Sequence, residues 1–155
     1  MSEVSLTEIP AHLVVGMRKR GTYAEIGEMI ATVWRFAAGS GAQIQGRPTF
    51  ICHETPKEAV KANEQANADV EVVVPVAKKV TGTDRVTCYE LPGGQMARIL
   101  HKGPCEKSAA TYKKLFAWIA ENQKRIVGPT REVYVNDPRK VPPEDILTEI
   151  YAPVH

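Results

Sequence analysis

Alternating apolar and polar positions open the chain. Val4, Leu6 and Glu8 stand against Ser5, Thr7 and Ile9, Pro10-Ala11 reads as a turn, and 13–18 reads as the returning strand. After Gly21 the period lengthens. Ile26, Met29, Ile30, Val33 and Ala37 recur at helical spacing until Gly39-Ser40-Gly41 ends the run. A third strand follows over 48–53. Thr55-Pro56-Lys57-Glu58 then combines an N-cap, a first-turn proline and a capping-box acid, which predicts a short polar helix over about 56–66. The run 71–76 closes this stretch as a strand. The remaining pattern is the same in kind. There is a strand over 86–91, the turn Pro92-Gly93-Gly94 and a strand over 95–101. A helix follows, carrying Ala109, Tyr112, Leu115, Phe116 and Ile119 on one side, and then strands over 131–136 and 149–154.

The likeness of the two stretches is an alignment of the chain with itself. At an offset of 82 (86 minus 4), Val4 falls on Val86, Glu8 on Glu90, Pro10 on Pro92, Gly21 on Gly103, Gly46 on Gly128 and Pro56 on Pro138. The closing strands match at an offset of 78 (149 minus 71). A period of this length is a folding unit rather than a solenoid motif. The expected organisation is one domain over 1–155, with repeat 1 over 1–76, a linker over 77–84 and repeat 2 over 85–155. Each half reads strand, strand, helix, strand, strand, and a seam between like halves is a natural place for a ligand.

Composition narrows the function classes. At 155 residues, 43% hydrophobic and 25% charged, the chain has the make-up of a globular domain with a core. A net charge of +2, with both signs interspersed, gives no electrostatic footprint for nucleic acid or an anionic membrane. No apolar run approaches a membrane span, and Met1-Ser2-Glu3 does not open like a secretory signal. Cys52, Cys88 and Cys105 form no CxxC spacing and fit a reducing, cytoplasmic location. His12, His53, His101 and His155 show no metal-ligand spacing, so neither metal nor cofactor is expected. Cys105, with His101 four residues earlier, outlines a nucleophile and base. The plainer reading is a small residue in a larger one's place.

Strand alternation proposes the site. In the last strand Ile150, Ala152 and Val154 share one face, and Glu149 and Tyr151 the other; in its twin Val70, Val72, Val74 and Val76 oppose Glu71 and Val73. The aliphatic faces are expected to pack on the helices. By the same rule Val133 and Val135 point to the helices, while Glu132, Tyr134, Phe50, Cys52 and Glu54 point away. The candidate ligand-binding residues are therefore Glu149, Tyr151, Tyr134, Phe50 and Glu71. An acid among aromatics suits a flat or cationic organic ligand, and a solvated sheet face with no partner is the competing reading.

The second half carries a resemblance. His101-Lys102-Gly103-Pro104, the helix end Leu115-Phe116-Ala117-Trp118-Ile119, Glu132-Val133-Tyr134-Val135-Asn136-Asp137-Pro138 and Thr148-Glu149-Ile150-Tyr151-Ala152-Pro153-Val154 together resemble the gyrase-inhibitor-like (GyrI-like) small-molecule-binding superfamily. That superfamily includes effector-binding domains of AraC-type and multidrug-sensing MerR-type regulators, as well as stand-alone members. The resemblance implies an α+β fold of tandem βαββ repeats about a pseudo-two-fold axis, with an antiparallel sheet, two main helices on one face and a ligand cleft between the halves. It also implies a final-strand Glu that meets cationic ligands among aromatics, and Glu149, Tyr151 and Tyr134 match those motif positions. Cys105 departs from the family's Gly-Pro-Tyr-Glu, and Gly21-Thr22-Tyr23-Ala24 keeps the Tyr without the Pro.

Three functions are then in view. The first is binding of an organic, cationic or amphiphilic small molecule with Glu149 as counter-charge, in an effector-binding or drug-sequestering protein. The second is hydrolysis of electrophilic cyclopropane-type natural products, a family activity, with Glu149 as the catalytic general base. The third is a protein-interaction module. The expected partner is a small molecule, with a transcription regulator or another protein as the further candidate, and no direct contact to nucleic acid or membrane.

Overall fold

The computed structural model describes residues 3–155. The fold is α+β. Among the described residues there are eight strands, β1 (Ser5–Ile9), β2 (His12–Gly21), β3 (Thr49–Cys52), β4 (Ala68–Pro75), β5 (Thr87–Leu91), β6 (Gly94–Lys102), β7 (Thr130–Tyr134) and β8 (Leu147–Pro153). There are three α-helices, α1 (Ile26–Gly39), α2 (Pro56–Glu64) and α3 (Ala109–Glu121). The capping box forms as expected, with the Thr55 amide donating to Glu58 Oε1 at 2.9 Å and the Glu58 amide to Thr55 Oγ1 at 3.3 Å. No helix among the described residues is long and apolar enough to cross a membrane.

The chain folds as two compact units, one of residues 1–10 with 93–155, the other of residues 11–92. In the first, the antiparallel strand order is β1-β6-β8-β7. Leu115 and Ile119 of α3 pack on Ala97, Ile99, Ile150 and Ala152. In the second, the order is β5-β2-β4-β3, and α1 packs on β4 and β2 through a helix side that buries Met29, Val33 and Ala37.

This pairing corrects the expected hairpins. β1 does not return on β2 but pairs with β6 (Ser5 opposite Arg98, Ile9 opposite Gly94), and β2 takes β5 as its neighbour (Val14 opposite Tyr89). A two-residue hairpin needs positive φ at its centre, and Pro10-Ala11 cannot supply it because the proline ring fixes φ near −65°. The chain therefore runs on from β1 instead of folding back.

Register also corrects one assignment of faces. Glu132 lies opposite Ile150 and Tyr134 opposite Thr148, so both share the face that α3 covers; Val133 lies opposite Glu149. Phe50 lies opposite Val72, and its ring meets Tyr23 edge-on at 5.8 Å beside the start of α1, while Ile51 lies opposite Glu71. In the second unit the aliphatic residues misled because both faces are apolar. Away from α1, Val14, Ile51, Val73 and Leu91 form a second buried cluster. When a strand is covered on both sides, alternation gives the period but not which face is which.

Candidate functional site

Two mid-strand acids lie on the faces turned away from the helices, one in each unit. In the first unit Glu149 sits at the middle of β8, and its side chain is 18% exposed. It is not alone. Arg98, two residues short of Leu100 (the residue directly opposite Glu149 on β6), donates from Nε to Glu149 Oε2 at 2.7 Å and from Nη2 to the same oxygen. Both guanidinium bonds fall on Oε2, and the Tyr151 hydroxyl also interacts with the Glu149 carboxylate. Arg98, Tyr151 and the buried Arg131 form one row across β6, β8 and β7. Burial pushes the Tyr151 phenol up, with Arg98 opposing and Glu149 reinforcing the shift. Burial alone would push the Arg98 guanidinium down, but its bonds to Glu149 and Tyr151 hold it up.

In the second unit Glu71, 6% exposed, sits at the middle of β4. Tyr89 donates its hydroxyl to Oε2 at 2.6 Å, and His53 Nε2 meets Oε1 at 2.7 Å. Tyr89 is on β5 and Glu71 on β4, with β2 between them, so the phenol has to cross a strand. Gly16 makes that crossing: a Cβ there would stand 2.9 Å from both Tyr89 Cζ and Val73 Cγ1, and closer still to the hydroxyl. Burial, followed by the bond to Glu71, pushes the Tyr89 phenol far above its ordinary range, so it remains a neutral donor. On the same face Arg18 binds Asp69 through two parallel bonds, Nε to Oδ1 at 2.8 Å and Nη2 to Oδ2 at 2.6 Å. That bond to Arg18 holds the Asp69 carboxyl below its usual range.

A third polar group lies on the α3 side of the first unit. Tyr112 donates to Glu132, whose carboxyl is pushed up by burial and eased back by that bond. His101 is fixed by Thr111 (Nδ1 to Oγ1, 2.7 Å) and by the Pro104 carbonyl (Nε2 to O, 3.1 Å). His101 is thus held by other partners and is not set as a base for Cys105. Cys105 is exposed as a residue, but desolvation of its thiol, and then Glu132 and Glu106, push it up, the opposite of an activated nucleophile. Thr148, 2% exposed, has a hydroxyl that makes no hydrogen bond of good geometry and meets the Cys105 thiol, a weak partner. A buried hydroxyl so poorly satisfied is a stability cost that an apolar isostere removes. Thr148→Val is therefore expected to stabilise the protein by about 1 kcal/mol, seen as a higher urea midpoint at unchanged slope. A lower midpoint would show the hydroxyl to be satisfied after all.

Of the candidates read from sequence, Glu149 and Tyr151 share a face and a neighbourhood. Tyr134 is on the opposite face of the same unit, under α3. Glu71 and Phe50 lie on opposite faces of the other unit. His53, Tyr89 and Gly16 around Glu71, and Arg98 beside Glu149, were not read as site residues. The self-alignment held one signal: Arg98 falls on Gly16 (98 minus 16 is 82), so the position that admits a neighbour's phenol in one unit brings its own guanidinium in the other. Among the described residues no group of three or more His, Cys, Asp or Glu side chains is placed to hold a metal ion.

The model of the GyrI-like small molecule binding domain matches residues 2–155. The chain belongs to the GyrI-like family. The GyrI-like fold is shared with the C-terminal domain of EcmrR, at 20% identity over 100% of this chain and 98% of that one, with a TM-score of 0.86. Against the EcmrR chain in its complex with DNA, the present chain spans 57% of the length. A hydrolase from Listeria innocua aligns at 15% identity over 99% of this chain and 92% of its own, with a TM-score of 0.68. SAV2435, solved bound to tetraphenylphosphonium, aligns at 15% identity over 99% and 94%, with a TM-score of 0.60. At these identities the structural neighbours share the fold alone. No curated protein sequence matches the chain.

Proposed function

We propose that this GyrI-like domain binds an organic cation with an apolar body, and that Glu149 and Tyr151 are its anchors. The observation behind the reading is a largely covered carboxylate with an aromatic ring beside it. Glu149 is largely withdrawn from water, Arg98 binds it at Oε2, and Tyr151 stands beside it on the same face. A desolvated carboxylate oxygen next to an aromatic ring attracts a soft monocation by charge and by the ring's quadrupole together. That SAV2435 holds tetraphenylphosphonium on the same fold supports this charge class. The hydrolase reading has less support, because Glu149 is already engaged by Arg98 and Tyr151 rather than set to take a proton from water. Isothermal titration with tetraphenylphosphonium at neutral pH is the test. Wild type is expected to bind, and Glu149→Gln to weaken binding about tenfold or more. Equal affinity in the two proteins would remove the claim.

A further inference from the structure

We infer that Arg98 selects the ligand of the Glu149 site, and that the preferred ligand is a zwitterionic amphiphile, its quaternary ammonium on Glu149 and its acid group on the Arg98 guanidinium. The inference rests on the reading of Glu149 and Tyr151 as anchors and names the ligand class more closely.

The charges on this face carry the argument. By register, the side of the first unit's sheet that holds Glu149 also holds Arg98 and Lys102 on β6 and Arg131 on β7. Among the described residues of β1, β6, β8 and β7, Glu149 is the one acid on that side. A simple monocation therefore enters among cations, and in binding Glu149 it takes away the partner of Arg98. The guanidinium is then left with its charge unmatched in a partly desolvated place, which is unfavourable. A ligand that carries both signs exchanges one ion pair for two and strands neither protein charge.

The geometry of the pair is open to such an exchange. In the second unit Arg18 and Asp69 meet through two parallel bonds, one to each oxygen, which is the closed form of an arginine–carboxylate pair. Arg98 instead spends Nε and Nη2 on the single oxygen Oε2, so a ligand carboxylate can offer it a better-matched partner with two oxygens. Both ends of the pair are reached from solvent, the Arg98 side chain being 32% exposed and that of Glu149 18%. Tyr151, directly opposite Arg98, offers its ring to the ammonium. Leu100 and Val133, opposite Glu149 on either side, are half-buried and leave apolar surface for the ligand's tail.

The experiment is calorimetric titration of the full chain at neutral pH with compounds that share one tail and differ in charge: octyltrimethylammonium, N-octyl-N,N-dimethylglycine and octanoate. Wild type is expected to bind the zwitterionic dimethylglycine compound about tenfold more tightly than either of the others. Arg98→Gln is expected to lose that preference, gaining affinity for octyltrimethylammonium and losing it for the zwitterion. If Arg98→Gln does not fold, the wild-type ranking decides the matter. Equal wild-type affinity for the zwitterion and the ammonium compound, or an undiminished preference in Arg98→Gln, would overturn the inference. So would octanoate binding as tightly as the zwitterion, which would mean an anion site, or no binding of the zwitterion at all. The Glu149 reading fails by a different result, unchanged affinity for tetraphenylphosphonium in Glu149→Gln.

Discussion

Replacing Arg98 with glutamine is expected to raise the affinity for a monovalent organic cation about tenfold, while lowering the stability of the protein. The guanidinium is the competitor already in place: both its bonds go to Glu149 Oε2, and the pair is only partly screened by solvent. Removing a unit positive charge from the neighbourhood of a bound cation, at the effective dielectric of a half-buried site, is worth about 1–2 kcal/mol, or roughly a factor of ten in Kd. The opposing effect on the fold is of similar size. Glu149 loses its partner in a partly covered position, and a loss of about 1 kcal/mol is expected, between the values for exposed and fully buried pairs. The two effects have opposite signs and are read by different measurements, titration with tetraphenylphosphonium and urea unfolding. A variant that loses stability and also loses affinity would mean that Arg98 helps to hold the ligand rather than keeping it out.

That Arg98 came from the structure and not from the sequence has a specific cause. Periodicity placed Glu149 and Tyr151 on one strand face, and the structure agrees. It could not say which residues of other strands share that face, because pairing between strands depends on register and on which strands are neighbours. The assumed hairpins hid the second acid's surroundings in the same way. With β1 folded onto β2, Tyr89 has no reason to be near Glu71; with β5 as the neighbour of β2, it lies one strand away and reaches across Gly16. The helices and the capping box at Thr55 were legible because they depend on local spacing alone. Tyr134 and Phe50 were misplaced for a third reason. β3 is apolar on both faces and β7 is polar on both, so neither carries a mark of which side the helix takes, and a choice made on hydrophobicity alone went the wrong way for both.

Gly16→Ala is the second substitution with a large expected effect. The position is buried, and the added methyl would overlap the Tyr89 hydroxyl and press on Val73 at 2.9 Å. The Val73 contact is part of a packed apolar cluster, and the tyrosine ring is wedged beside it, so neither moves cheaply. Displacing the phenol also takes away the donor to Glu71 Oε2, leaving a buried carboxylate short of one hydrogen bond. Together these predict a loss of about 2–4 kcal/mol, a fall in Tm of roughly 5–15 °C for a chain of this size. Tyr89→Phe in the same background separates the two contributions. It removes the worst overlap but not the missing bond, so it is expected to recover part of the loss. Full recovery would mean that the hydroxyl contributes nothing to Glu71, and no recovery would place the strain at Val73. If Gly16→Ala unfolds at the wild-type midpoint, the phenol does not pass over this glycine in solution.

The exchange of β1 and β5 reaches beyond register. A break in the peptide chain near Thr81 would leave two fragments, each carrying an edge strand that completes the other's sheet: β1 goes with the amino-terminal piece but pairs with β6, and β5 goes with the carboxy-terminal piece but pairs with β2. Neither fragment can close its own ladder. Co-expressed, they are suited to reassemble as a split protein, and expressed singly each would present an unsatisfied row of backbone amides and carbonyls open to aggregation.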